Sequence, residues 1–332
     1  MSNSYSYEKI NYILRPNKQV ERKIIIDILS RISLDIDMSN YSYIGMGSIY
    51  YYDFILMHKF FGIKSMCSID NKDTVKRFTF NKPYDFIEFK NCLTSEYLYS
   101  HDFKSNAIFW LDYDNSFIGN DSLLEDMDII CKNCIKNNFY FLTLRCDPPR
   151  EPEEKEQFLK DYSRYISSDL NTIQNTSTKL FPTLLQNILL NYIAEKGAFN
   201  ENKFVKCCSF LYRDGALMYT LGGIFTDNPD DFIIKYSKDS MIQSQQKDIK
   251  DIKIPNITYK EKFYLDSNVS SIELLIKYSE EFLANSYMKE HEYTKKLNEY
   301  LADQLEVELS YSDLTNYITN YRFIPQYYEG II

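Results

Sequence analysis

The sequence predicts an α/β fold built on a doubly wound, mostly parallel sheet of seven strands that ends in an antiparallel hairpin, with added helices. Three observations predict it. Short apolar runs alternate with segments of helical periodicity through residues 41–144, the signature of buried parallel strands joined by crossover helices. A glycine turn closes the first run and an acidic residue closes the second. Two long apolar segments then flank Arg213-Asp214-Gly215, a turn that suits a hairpin.

Taken in order, Ile24, Ile25, Ile28, Leu29 and Ile32 recur at helical spacing after Arg15-Pro16, so a helix begins just beyond that proline. Tyr41 to Ile44 reads as the first strand, closed by Gly45-Met46-Gly47-Ser48. Tyr51 to Phe61 is the helix behind it and stops at Gly62. Ser65 to Ile69 is a second strand ending at Asp70, Lys72 to Phe80 is helical, and Phe86 to Phe89 is a third strand. Ala107 to Leu111 forms the fourth and ends in Asp112-Tyr113-Asp114-Asn115. Ser122 to Lys136 is amphipathic. Phe139 to Leu144 is the fifth strand, stopped by Arg145-Cys146-Asp147-Pro148-Pro149.

Helices over Glu153 to Ser167 and Leu180 to Lys196 are more than one crossover requires. The hairpin follows, from Lys203 to Tyr212 and from Ala216 to Phe225. Asp227 to Ile254 is polar and irregular, Thr258 to Tyr300 is helical and charged, and Tyr317 to Tyr328 is an aromatic tail. The expected organisation is a Rossmann-like domain over 1–230, with an N-terminal helix and a helical insertion at 147–200, followed by a C-terminal helical extension over 231–332.

Composition narrows the function classes. Of 332 residues, 44% are apolar and 26% charged, which is ordinary for a globular chain. The 30 tyrosines accompany abundant Ile, Asn and Lys and reflect source bias, so their number is no functional signal. No run approaches the roughly 18 apolar residues of a membrane span, and MSNSYSYEKI lacks the features of a signal peptide. The expectation is a cytoplasmic chain with no membrane partner. Seven cysteines, an odd number scattered through apolar segments, read as reduced thiols. A net charge of −9 opposes nonspecific nucleic-acid binding.

The candidate chemistry gathers behind the strands. Gly45 and Gly47 let backbone approach a ligand at the start of the next helix. Asp70, at the end of the second strand, suits ribose hydroxyls. The third glycine of a dinucleotide fingerprint is absent, and Tyr50 would crowd a pyrophosphate, which shifts weight from NAD toward S-adenosylmethionine. Asn91-Cys92 is placed to border adenine, and Asp112 lies at the carboxyl edge of the sheet. Asp112, Asp114, Asn115 and Asp147 carry oxygens of the kind a divalent cation takes, but loop capping is the commoner explanation, and no metal site is assigned.

Other features read as structure. Cys131-x-x-Cys134 falls in a helical pattern without further ligands, which favours core packing. His58, His101 and His291 show no ligand spacing. Arg15, Lys18, Arg22 and Lys23 beside Glu21 form a basic stripe, read as a solvated helix face that could alternatively meet an acidic substrate group. No Asn/Asp-Pro-Pro-Tyr follows the fourth strand, which weighs against methylation of a nucleobase amine.

The segments LRPNKQVERK (14–23), YIGMGSIYYYDF (43–54), WLDYDN (110–115) and FLYRDGALMYTLGG (210–223) resemble bacterial O-methyltransferase-like proteins of the class I S-adenosylmethionine-dependent methyltransferase superfamily. The resemblance implies their seven-stranded sheet. It places Gly45, Gly47 and Ser48 at the methionine end of the cofactor, Asp70 at the ribose and Asp112 on the floor of the site. The expected function is S-adenosylmethionine-dependent methyl transfer, to oxygen rather than a nucleobase nitrogen, with Asp112 or Asp114 as base or metal ligand. The acceptor, small or macromolecular, is unassigned, and a homo-oligomer or protein partner is compatible with the chain. The alternatives are a catalytically silent Rossmann-fold binding protein in a bacterial defence or regulatory system and, less favoured, an NAD-dependent oxidoreductase. Residues 147–200 and the helices beyond Thr258 are expected to cover the carboxyl edge and shape the acceptor pocket.

Overall fold

A computed structural model describes residues 15–71, 75–244, 249–284 and 290–324, with the side chains of 282–284, 290–291 and 302 left aside. The expectations for residues 1–14, 72–74 and the end of the aromatic tail lie outside the described residues. The described chain divides into two compact units, Ile24–Asp251 and Arg15–Lys23 with Ile252 onward. No helix among the described residues is long and apolar enough to cross a membrane.

In the first unit the parallel strands are β1 (Ser42–Met46), β2 (Ser65–Ile69), β3 (Ile87–Lys90), β4 (Ala107–Ser116) and β5 (Phe139–Arg145). The hairpin is β6 (Lys203–Arg213) with β7 (Leu217–Thr226). Their order is β3-β2-β1-β4-β5-β7-β6, with β7 antiparallel to both neighbours. A short β8 (Lys250–Ile252) adds an eighth strand beside β6, one more than the seven expected. It lies in the stretch read as irregular, because three residues with charged Lys250 and Asp251 carry no alternation to detect.

The helices are α1 (Pro16–Ile32), α2 (Tyr52–Phe61), α3 (Val75–Phe80), α4 (Thr94–Ser100), α5 (Asp121–Asn133), α6 (Pro152–Asp161), α7 (Phe181–Lys196) and α8 (Pro229–Tyr236). One sheet face packs Ile44, Phe109, Leu111, Leu142 and Leu144 against Leu98 of α4, Leu123 and Ile130 of α5, and Leu185 and Leu189 of α7. On the other, the Tyr43 ring meets Phe54 of α2 edge-on at 4.8 Å. Burial of these apolar surfaces drives the layers together, at roughly 1.5–3 kcal/mol per large side chain. Cys131 and Cys134 are buried in this packing, and burial holds both thiols protonated.

The second unit holds α9 (Tyr259–Ser267), α10 (Val269–Ala284), α11 (Glu290–Gln304) and α12 (Tyr311–Asn320). Capping boxes start α9, through Thr258 and Glu261, and α12, through Ser310 and Asp313. The Tyr317 hydroxyl donates to Asp266 across the pair. The first turns of α1 belong here, and the backbone N–H of Ile254 donates to Asn17 Oδ1 at 2.9 Å. These turns correct the reading of a solvated basic stripe. Arg15, Lys18, Glu21 and Arg22 are all buried, and Lys18 Nζ meets Glu21 Oε2 at 2.7 Å with both side chains fully enclosed. Charge spacing alone signals a surface because charges are rarely buried unless paired.

Candidate functional site

Parallel strands all point one way, so the residues that follow β3, β2, β1 and β4 arrive at one edge of the sheet, about 4.8 Å apart from strand to strand. Register fixes who stands beside whom. Ile69 pairs with Lys90, and the Asp70 N–H donates to the Lys90 carbonyl at 3.1 Å, so Asp70 leaves the sheet beside Asn91-Cys92. The Gly47 N–H donates to the Ile69 carbonyl at 3.1 Å, which sets the glycine segment beside Asp70. Gly45 pairs with Trp110, two residues before Asp112. Gly45, Gly47, Ser48, Asp70, Asn91, Cys92 and Asp112 are therefore brought to one edge, where the strand order reverses between β1 and β4.

Local structure around these residues differs from the expectation in two places. Gly45 lies inside β1, because the strand runs on to Met46. The turn is 47–51, and its left-handed residue is Tyr51, at φ 51 and ψ 26, not a glycine. Such a backbone costs a non-glycine residue of order 1 kcal/mol or more. Tyr51 is buried and its hydroxyl donates to the Phe78 carbonyl at 3.0 Å, which holds the conformation. No sequence rule singles out a tyrosine for this role.

The second difference concerns Asp112 and Asp114, which belong to β4 rather than to a loop behind it. Asp112 pairs with Thr143, and pairing resumes only at Ser116 with Arg145, so β4 spends four steps where β5 spends two. This is a bulge, a common device for aiming side chains beside a site. Asp112 is half-buried, Asp114 and Asn115 are exposed, and Tyr113 turns into the core. Asp147 ion-pairs with Arg145 at 2.6 Å. Among the described residues, no group of three or more His, Cys, Asp or Glu side chains is gathered to hold a metal ion.

Beyond the expected residues, the Tyr97 side chain of α4 meets that of Cys67 in β2. Burial pushes the Cys67 thiol up to about 11, so it stays protonated. His101 is packed against Phe103 and Phe109, and burial holds its imidazole below its usual range. The His58 ring packs at a tilt against Tyr84 and Phe86, and its Nδ1 bonds the Ile63 carbonyl at 2.9 Å. The side chain of His291 lies outside the described residues.

The family model described as "Putative O-methyltransferase" matches residues 10–332. The chain belongs to this family. A search of curated proteins finds no match. Among solved structures, the chain is similar to Trm1 from Pyrococcus horikoshii in complex with S-adenosyl-L-methionine, at 10% identity and a TM-score of 0.45, over 68% of this chain and 58% of that one. It thus spans little more than half the length of that protein. It is also similar to the N-methyltransferase NodS from Bradyrhizobium japonicum, at 7% identity and a TM-score of 0.35, over 62% and 97% of the chains. Spermidine synthase from Thermotoga maritima matches at 8% identity and a TM-score of 0.36, over 72% and 73%. At such identities no residue role is carried over from these proteins.

Proposed function

We propose that the chain is an S-adenosylmethionine-dependent methyltransferase. The observation that carries this reading is the convergence of Gly45–Ser48, Asp70, Asn91-Cys92 and Asp112 on the carboxyl ends of β1, β2, β3 and β4 in a β3-β2-β1-β4-β5-β7-β6 sheet. Ligands of doubly wound folds bind at that edge, where strand order reverses. Membership of the O-methyltransferase family supports it.

The residues suit the ligand. The Asp70 carboxylate beside the glycine turn is a charged acceptor for paired ribose hydroxyls. Half-buried Cys92 offers an apolar flank and Asn91 a polar one for adenine. The backbone of Gly45, Gly47 and Ser48 adjoins the methionine end. Bound there, the sulfonium supplies an electrophilic methyl group, and the protein's task is to align the nucleophile with it. Asp112 or Asp114 takes the proton of the acceptor group, which we assign to oxygen because no amine-clamping Asn/Asp-Pro-Pro-Tyr stands after β4.

The insertion supports an acceptor pocket at the same edge. The Tyr162 ring, at the end of α6, lies 4.9 Å from that of Phe117, which directly follows β4. A thermal-shift comparison of S-adenosylmethionine, S-adenosylhomocysteine and NAD tests the proposal, since a ligand selective for the native state raises the midpoint. Stabilisation by both adenosyl ligands and not by NAD is expected. A response to NAD alone overturns it.

A further inference from the structure

Between Asp112 and Asp114 stands Tyr113, which turns the other way. It is 8% exposed, and its hydroxyl donates to Asp126 Oδ2, on α5, at 2.5 Å. Asp126 is 2% exposed, and its Oδ1 has no hydrogen-bond partner among the described residues. The bond sits where the sheet gives least support. Pairing of β4 with β1 stops at Trp110, and pairing with β5 lapses between Asp112 and Ser116. Within that gap the Tyr113–Asp126 bond ties β4 to α5.

An apolar residue at position 126 would pack with Leu123, Met127 and Ile130 at lower cost than a buried carboxyl with an open oxygen. Its presence calls for a use. We propose that Asp126, acting through Tyr113, is the positioning residue that fixes Asp112 and Asp114 at the carboxyl edge of the sheet. Tyr113 from β4, Tyr140 from β5 and Glu125 from its own helix are the titratable groups around it. Burial holds the Tyr113 hydroxyl protonated, so it remains a donor. Asp126 Oδ2 accepts whether or not the carboxyl is charged, and the tether survives its titration.

For its affinity readout the inference rests on the proposed S-adenosylmethionine site, so the test has a second readout that does not. Tyr113→Phe keeps the ring and removes the hydroxyl. Tyr140→Phe removes another buried hydroxyl, one with no partner among the described residues, and serves as control. Amide hydrogen exchange over residues 112–116 of the ligand-free chain should quicken at least about tenfold in Tyr113→Phe and stay at the wild-type rate in Tyr140→Phe, in line with the loss of one hydrogen bond to a carboxyl. Calorimetric Kd for S-adenosylmethionine, measured well below each Tm, should rise about tenfold in Tyr113→Phe alone. Asp126→Asn, which keeps an acceptor, should stay near wild type, and Asp126→Leu should repeat Tyr113→Phe. Unchanged exchange over 112–116 in Tyr113→Phe overturns the tether. Unchanged Kd in that variant, with the wild type binding normally, overturns its role in the site. A wild type that binds no S-adenosylmethionine fails the cofactor reading instead, and the exchange rates still decide the tether.

Discussion

Gly47 and Ser68 occupy space that only one side chain can fill. A Cβ built on Gly47 would lie 1.9 Å from Ser68 Oγ and 3.3 Å from Ser68 Cβ. The sequence suggested that the bare Gly47 leaves room for a ligand, but β2 takes that room, and the ligand reading now rests on the backbone of the turn. Gly47→Ala should therefore destabilise the chain by about 1–3 kcal/mol, the usual cost of overpacking. Adding Ser68→Gly should recover most of it in urea titrations, and a double variant no more stable than the single one rules out this clash as the cause.

The Asp70 backbone N–H is bonded to the Lys90 carbonyl, and its side chain is partly exposed at the edge. Asp70→Ala keeps that backbone bond and should weaken S-adenosylmethionine binding by about 1–3 kcal/mol, the loss of a charged acceptor. Calorimetry on the folded variant checks it. An unchanged Kd removes Asp70 from the ribose.

Burial raises the Asp126 carboxyl from the usual carboxylate range to about 7, against a smaller lowering by the Tyr113 hydroxyl. The folded chain then keeps a proton that the unfolded chain releases above about pH 4. Stability falls as pH climbs from about 4 through about 7 and levels off above, by up to about 4 kcal/mol. Asp126→Asn should abolish that part of the slope in unfolding measured at about pH 5 and about pH 8. An equal slope in both proteins assigns the pH dependence elsewhere.

Lys18 and Glu21 form a fully enclosed pair one turn apart on α1. Lys18→Met removes the buried cation and its ion pair with Glu21, so it should destabilise the chain by about 3–5 kcal/mol. Replacing both, with Glu21→Leu, should cost less than the sum of the single changes. Additivity in a double-mutant cycle would show that the two charges do not depend on each other.

What the sequence disclosed and what it hid follow from physical type. Ile44, Cys67, Phe109 and Leu142 sit in runs apolar on both faces, which is how a parallel strand reads, and Arg213-Asp214-Gly215 marked the hairpin. The edge residues Gly45, Gly47, Ser48, Asp70, Asn91, Cys92 and Asp112 were legible because each follows or closes such a run. The extension of β4 through Asp112–Ser116 was hidden, since Asp and Asn disfavour strands. Asp126 was hidden too, because a carboxylate between Glu125 and Asp128 in an amphipathic helix reads as surface, and only its contact with Tyr113 reveals it. The left-handed Tyr51 leaves no trace in a sequence, because a tertiary contact with the Phe78 carbonyl holds it.

The most direct test of the central claim is a calorimetric titration of the full chain with S-adenosylmethionine, with Asp70→Ala titrated alongside. Saturable binding at a single site, competition by S-adenosylhomocysteine, and about 5- to 150-fold weaker binding in the variant are expected. No heat and no thermal stabilisation with either adenosyl ligand, in a wild-type chain shown to be folded, would contradict it.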